Sequence, residues 1–213
     1  MQVMRRAAAI LALGVCLAVP EVGAGDGLVV SAATSLTEVL QEVAAIYQSR
    51  TGEPLALNFG PSNTLARQIQ SGARVDVFIS ADEAQIDVVA AQIAPGSRVD
   101  LLSNQLAIAV PDDRPHPFPS DRALTASAIR RIALGDPAAV PAGVYAKAYL
   151  EKIGVWAAIA HKVVPAGSVR LALAAVENGA ADAAVVYRTD IMRASRARPA
   201  LVIPAADGPR IVF

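Results

Sequence analysis

Leu28-Val-Val-Ser-Ala-Ala-Thr-Ser35-Leu-Thr-Glu38-Val-Leu-Gln-Glu-Val-Ala-Ala-Ile-Tyr47 changes its period part-way along. Residues 28–32 form a short, almost continuously apolar run, which reads as a buried strand. Beyond it, Leu36, Val39, Leu40, Val43, Ala44 and Tyr47 recur at i, i+3, i+4, i+7, i+8 and i+11, which predicts an amphipathic helix. Between strand and helix, Ser35-Leu-Thr-Glu38 has the residues of a capping box, in which hydroxyl and carboxylate each accept from a backbone N–H at the helix start. Gly52 stops the helix, because glycine enters the left-handed conformation without strain.

The same alternation runs outward from this stretch. Residues 55–59 read as a second strand, Gly60-Pro-Ser-Asn63 as a turn, and residues 64–71 as a helix closed by Gly72. A third strand at residues 75–80 and a helix at 83–91 follow. A second run begins with a strand at 105–110, then a surface loop marked by Pro111, Pro115, Pro117 and Pro119. Next come a strand at 131–134, a loop at 135–142 and a helix at 143–152. Ser168 caps a helix with Val169, Ala172, Leu173 and Val176 on one face, ended by Asn178-Gly179, and residues 183–187 form a last clear strand. Strands alternating with helices predict parallel sheets covered on both faces. The fold class is therefore α/β with two lobes, residues 25–104 and 105–196, and residues 197–213 crossing back toward the first. In such sheets ligands bind beyond the carboxyl ends of the strands.

Hydrophobic residues make up 54% of the 213, enough for a sizeable core, but aromatics only 4%, so that core must be built from Ala, Val, Leu and Ile. Lys plus Arg and Asp plus Glu both number 19, so no basic field exists to hold nucleic acid or a membrane surface. Residues 1–24 read as a signal peptide. Arg5 and Arg6 form the charged start, residues 7–19 the apolar stretch, and Val22-Gly-Ala24 offers small residues for cleavage after Ala24. This predicts export to the periplasm. Cys16 leaves with the signal, and the mature chain then has no disulfide, thiolate or cysteine-ligated metal.

Chemistry is expected where helices begin. Ser35 opens one helix, Ser62 and Asn63 another, Ala142 precedes the helix at Gly143, and Val169 begins the helix capped by Ser168. Helix N-termini carry unpaired N–H groups and partial positive charge. Four such ends converging on one cleft would bind an anion without any cation; on spacing alone, ordinary capping is the better explanation of them. Catalytic patterns are lacking. His116 and His161 belong to no metal-ligand spacing, and there is no nucleophile elbow or phosphate-binding loop. Asp76, Asp82 and Asp136, beside strands and turns, read as caps and loop anchors. Arg67 and Arg170 lie on candidate cleft helices and read as solvated or salt-bridged. An enzyme, a cofactor and a free-cation site are not expected.

Four stretches then carry a resemblance. Phe59-Gly-Pro-Ser-Asn-Thr-Leu-Ala-Arg-Gln-Ile69, Gly72-Ala-Arg-Val-Asp-Val-Phe-Ile-Ser-Ala-Asp82, Gly135-Asp-Pro-Ala-Ala-Val-Pro-Ala-Gly-Val-Tyr-Ala146 and Val186-Tyr-Arg-Thr-Asp190 occur in order. Together they make residues 28–203 resemble the periplasmic molybdate-binding proteins of ABC transporters. The resemblance implies two hinged lobes with the oxyanion between them, contacted by Ser35, Ser62, Ala142, Val169 and Tyr187. The serines and the tyrosine would offer hydroxyls, Ala142 and Val169 only backbone N–H. It implies capture of molybdate or tungstate by a monomer and delivery to an ABC permease in the inner membrane. A sulfate- or phosphate-class binding protein and a sensory oxyanion-binding module are the alternatives, and the export signal favours transport. Thr34, Pro61, Asn63 and Ile191 depart from the family pattern. The family also continues beyond the position of Phe213 with structure completing the first lobe. The chain thus reads as a truncated form, with Arg210-Ile-Val-Phe213 starting a returning segment.

Overall fold

The computed structural model describes residues 27–113 and 118–213. The expected signal peptide, Cys16 and His116 lie outside the described residues.

The described residues build two sheets. Strands β1 (Val29–Ala33), β2 (Ala56–Gly60) and β3 (Val77–Ile79) form the first, all parallel, in the order β2-β1-β3. A 3-10 turn at Thr34–Leu36 and helix α1 (Thr37–Thr51) connect β1 to β2; helix α2 (Ser62–Gln70) connects β2 to β3. Gly52 ends α1 at φ +80°, donating its N–H to the Gln48 carbonyl, so the predicted stop is the one used. Helix α3 (Glu83–Val88) follows β3.

The second sheet has the order β6-β5-β7-β4-β8. Its elements are β4 (Leu106–Pro111), β5 (Ile132–Gly135), α4 (Pro141–Lys152), α5 (Trp156–Ile159), β6 (Val163–Ala166), α6 (Val169–Glu177), β7 (Ala183–Tyr187), α7 (Arg188–Ile191) and β8 (Ala197–Val202). The expectation of wholly parallel sheets fails here. β5, β6 and β7 are mutually parallel, but β4 is antiparallel to both β7 and β8. The chain enters β4 at the end where β7 finishes, Leu106 pairing with Tyr187, and must run the other way.

Residues 197–202, expected to begin the crossing back, instead form β8 at the edge of the second sheet. The return is made by the last few residues. Val212 bridges Ser103, the Phe213 carbonyl accepts from Leu101 and Leu102 at 2.7 and 3.2 Å, and Ile211, Val212 and Phe213 are buried.

Burial differs between the sheets. Every residue of β4, β5 and β7 is buried. Helix α6 buries the predicted face, Val169, Ala172, Leu173 and Val176. Each such aliphatic side chain contributes about 1.5–3 kcal/mol on burial. Helix α1 has the right period but buries none of its residues; Val39, Val43 and Ile46 are 44%, 45% and 51% exposed. The first sheet has three short strands with both edge strands half exposed, too narrow a platform to cover that face.

Candidate binding site

A small cleft lies where the carboxyl ends of strands of both sheets meet. It is lined by Ala33, Thr34, Ser35, Gly60, Pro61, Ser62 and Ala81 from the first sheet's side, and by Val140, Pro141, Ala142, Ser168, Val169 and Tyr187 from the second's. Ser35, Ser62, Ala142, Val169 and Tyr187 are all among them, brought together from positions more than 150 residues apart.

Local sequence sets each one. Ser35 was expected to cap α1 in a box with Glu38, and this does not form. Ser35 sits in the middle of the 3-10 turn, and Leu36 occupies the capping position of α1 without a side-chain bond. The helix begins too late for the Ser35 hydroxyl to reach its free N–H groups. Its Oγ is buried and has no protein hydrogen-bond partner. Glu38 turns instead to Arg170, 2.6 Å away.

Ser62 is the first residue of α2. Its Oγ accepts the Ala81 N–H at 2.9 Å, tying the end of β3 to the start of α2. A hydroxyl accepting one bond still has a proton to donate. The Thr64 and Leu65 N–H groups both donate to the Pro61 carbonyl, so the helical bonds begin after Ser62 and Asn63. In α4, Pro141 has no N–H, while Gly143 and Val144 donate to Val140, which makes the Ala142 N–H the first donor of that terminus. That terminus rests directly on the end of β5: a Cβ on Gly143 would drive into the Gly135 carbonyl. In α6, Ser168 is the predicted cap. Its Oγ accepts from Leu171 at 3.2 Å, and the Val169 N–H precedes the helical ladder.

Tyr187 ends β7 and is 1% exposed. Its hydroxyl is buried without a hydrogen-bond partner, and its ring meets Phe213 edge-on at 5.7 Å between centroids. Burial, with nearby Tyr145, Asp190 and Asp82, pushes its pKa well above 10, so the phenol keeps its proton and donates. No sequence signal pointed to the contacts from Ala81 and Phe213, which come from segments distant in the chain.

The charged groups stand back from this lining. Asp76 anchors the Val29 N–H at 2.8 Å, Asp82 caps α3 through Gln85 at 3.0 Å, and Asp136 holds the Ala138 N–H at 2.9 Å, as their positions predicted. Burial raises the Asp82 pKa against the hydrogen bonds from Gln85 and Ser80. Arg67 lies outside the cleft, bonded to Thr64 at 3.2 Å. Arg170 is paired with Glu38 and with Asp190, which is fully buried. Burial raises Asp190 to about 6 although Arg170 opposes the shift. His161 is exposed in a 3-10 turn. Among the described residues no three His, Cys, Asp or Glu cluster as metal ligands. The lining thus presents N–H and O–H donors from both sheets toward one small space.

The chain is similar to known proteins in sequence and in fold. The family described as bacterial extracellular solute-binding protein matches residues 28–212. The molybdate-binding protein ModA of Escherichia coli (strain K12) is 36% identical over 192 residues, covering 87% of this chain and 75% of that protein. The molybdate-binding protein ModA of Haemophilus influenzae is 30% identical over 190 residues, covering 86% and 75%. Among solved structures, the Azotobacter vinelandii periplasmic molybdate-binding protein superposes with a TM-score of 0.76 at 28% identity, covering 87% of this chain and 82% of the other.

Proposed function

The chain belongs to the bacterial extracellular solute-binding proteins, and we propose that its solute is molybdate or tungstate, held in the cleft by Ser35, Ser62, Ala142, Val169 and Tyr187. The observation that carries this reading is the pair of buried hydroxyls, Ser35 Oγ and Tyr187 Oη, without protein partners. They line the same cleft as the N-termini of α2, α4 and α6. A buried polar group left unpaired costs about 1–3 kcal/mol, so an arrangement with two of them calls for an acceptor. A fully deprotonated tetrahedral dianion is all acceptor and has no proton to give. Donor-only surroundings suit it, and a carboxylate among them would repel it. Each helix terminus adds roughly half a positive charge, which spreads the neutralisation over dipoles in place of a cation.

In this reading the chain is a binder, not an enzyme. It is exported by residues 1–24, closes over the anion as a monomer, and is recognised in its closed form by the permease of an ABC importer in the inner membrane. The molybdate-binding names of the E. coli, H. influenzae and A. vinelandii relatives support the choice of anion. Titration calorimetry with molybdate, tungstate, sulfate and phosphate tests it. Donors fixed on helix ends cannot contract around a smaller ion, and each bond stretched out of range loses about 1 kcal/mol. Molybdate and tungstate should therefore bind at least tenfold more tightly than sulfate; equal affinity for sulfate in direct competition would reject the assignment.

A further inference from the structure

Arg170 occupies the second position of α6, next to Val169 in the cleft, yet its side chain turns away from the cleft lining. Its Nε lies 2.8 Å from the Asp190 carboxylate, which follows β7 and is fully buried. Its terminal NH2 lies 2.6 Å from Glu38, in the first turn of α1 and three residues after Ser35. Asp190 belongs to the second sheet's side and Glu38 to the first's. The Nε contact with the buried carboxylate is an ion pair without hydrogen-bond geometry, whereas the NH2 group donates a hydrogen bond to Glu38. Charge thus holds the guanidinium on Asp190, and direction is set by Glu38. One turn along α1, Glu42 meets Arg193 at 3.4 Å, again across the two sides, but with side chains 67% and 52% exposed. The face of α1 that meets the other sheet's helices therefore includes the acidic pair Glu38 and Glu42, and opening the cleft must part both ion pairs.

We propose that Arg170 is a positioning residue that latches the two sheets around the cleft, linking Glu38 on one side to Asp190 on the other and setting how slowly the closed form releases its anion. The latch joins two segments that each bring a donor to the cleft, Ser35 with Glu38 and Val169 with Arg170. Closure and donor alignment are thus one event. It also accounts for the missing capping box, since Glu38 is engaged across the cleft. The Glu42 pair makes no comparable contribution, because solvent screens it.

As a statement about anion release, the inference rests on the molybdate reading above. The test compares Glu38→Gln with Glu42→Gln by stopped-flow kinetics of molybdate binding. Glu38→Gln should speed dissociation about three- to tenfold with association unchanged, and Glu42→Gln less than twofold. An unchanged dissociation rate in Glu38→Gln, or equal effects from the two variants, overturns the latch. Arg170→Gln would expose the buried Asp190 to unfolding and is therefore not the primary variant. If the wild-type protein binds neither molybdate nor tungstate, the ligand reading fails by itself. The latch is then decided in the free protein by residual dipolar couplings, which give the relative orientation of the two sheets. A more open orientation in Glu38→Gln than in wild type supports it, and identical orientations overturn it.

Discussion

The two sheets are made from the same kind of sequence and hold their shape to different degrees. In the second, the β4, β5 and β7 strands are fully buried and α6 seals one face with four buried side chains. In the first, β2 and β3 are half exposed and α1, the longest helix among the described residues, buries none of its residues. Yet both sides contribute donors to the cleft. The difference teaches that a binding site asks less of a sheet than a core does. The first sheet needs only to end its strands at the right place, with Ser35 and Ser62 fixed by a tight turn and by the Ala81 N–H.

The sharpest way to break this comparison is to cut equivalent side chains on the two sides. Leu134→Ala, in the middle of the buried second sheet, should lower stability by about 2–5 kcal/mol in urea unfolding. Val43→Ala, on the exposed face of α1, should change it by less than about 0.5 kcal/mol. Similar losses would mean that α1 is covered in solution and that the contrast is mistaken.

Next in size are the cleft donors, which sharpen the comparison by separating binding from stability. Tyr187→Phe and Ser62→Ala should each weaken molybdate binding by about 1.5–3 kcal/mol, the range for a hydrogen bond to a charged group. Their effects on the free protein should differ. Tyr187→Phe removes a buried hydroxyl that has no protein partner, so it should not lower the stability of the free protein and should raise it where the cleft stays dry. Ser62→Ala also strands the Ala81 N–H and should cost about 1 kcal/mol of stability. Wild-type affinity in both variants would show that the anion binds elsewhere.

The smallest effect concerns Asp190, at the seam between the sides. Burial raises its pKa to about 6, above the ordinary carboxylate range, with Arg170 opposing. A carboxyl raised on folding stabilises the fold fully below its unfolded pKa, and that contribution is lost as pH rises through the folded value. Between pH 4 and 7 the wild type should therefore lose about 1–3 kcal/mol relative to Asp190→Asn. Parallel stability curves for the two proteins across that window would contradict the shift.

How much of this was legible in the sequence depended on local physics. Strand β7 was read to the residue because five consecutive buried apolar positions lie between turn signals. Helix α6 was read with its cap and its buried face, since both follow from near neighbours. Strands β6 and β8 were missed, and both contain a proline, Pro165 and Pro199, within a partly exposed pattern. Proline is tolerated there because both lie at sheet edges, a position that no local period reveals. Ser35 was found but given the wrong local role, because the residues of a capping box do not say whether Glu38 has a stronger partner far along the chain. The gathering of the five cleft residues was implied by resemblance to a family. Spacing alone could not distinguish convergence from ordinary capping.

The central claim is that donors from both sheets close around one tetrahedral oxyanion. Crystals grown with molybdate and measured at the molybdenum absorption edge test it most directly. The account predicts a single strong anomalous peak in the cleft. Its oxygens should lie about 2.7–3.1 Å from the Ser35, Ser62 and Tyr187 hydroxyls and the Ala142 and Val169 nitrogens. A peak elsewhere, or a cleft without one at saturating molybdate, would contradict it.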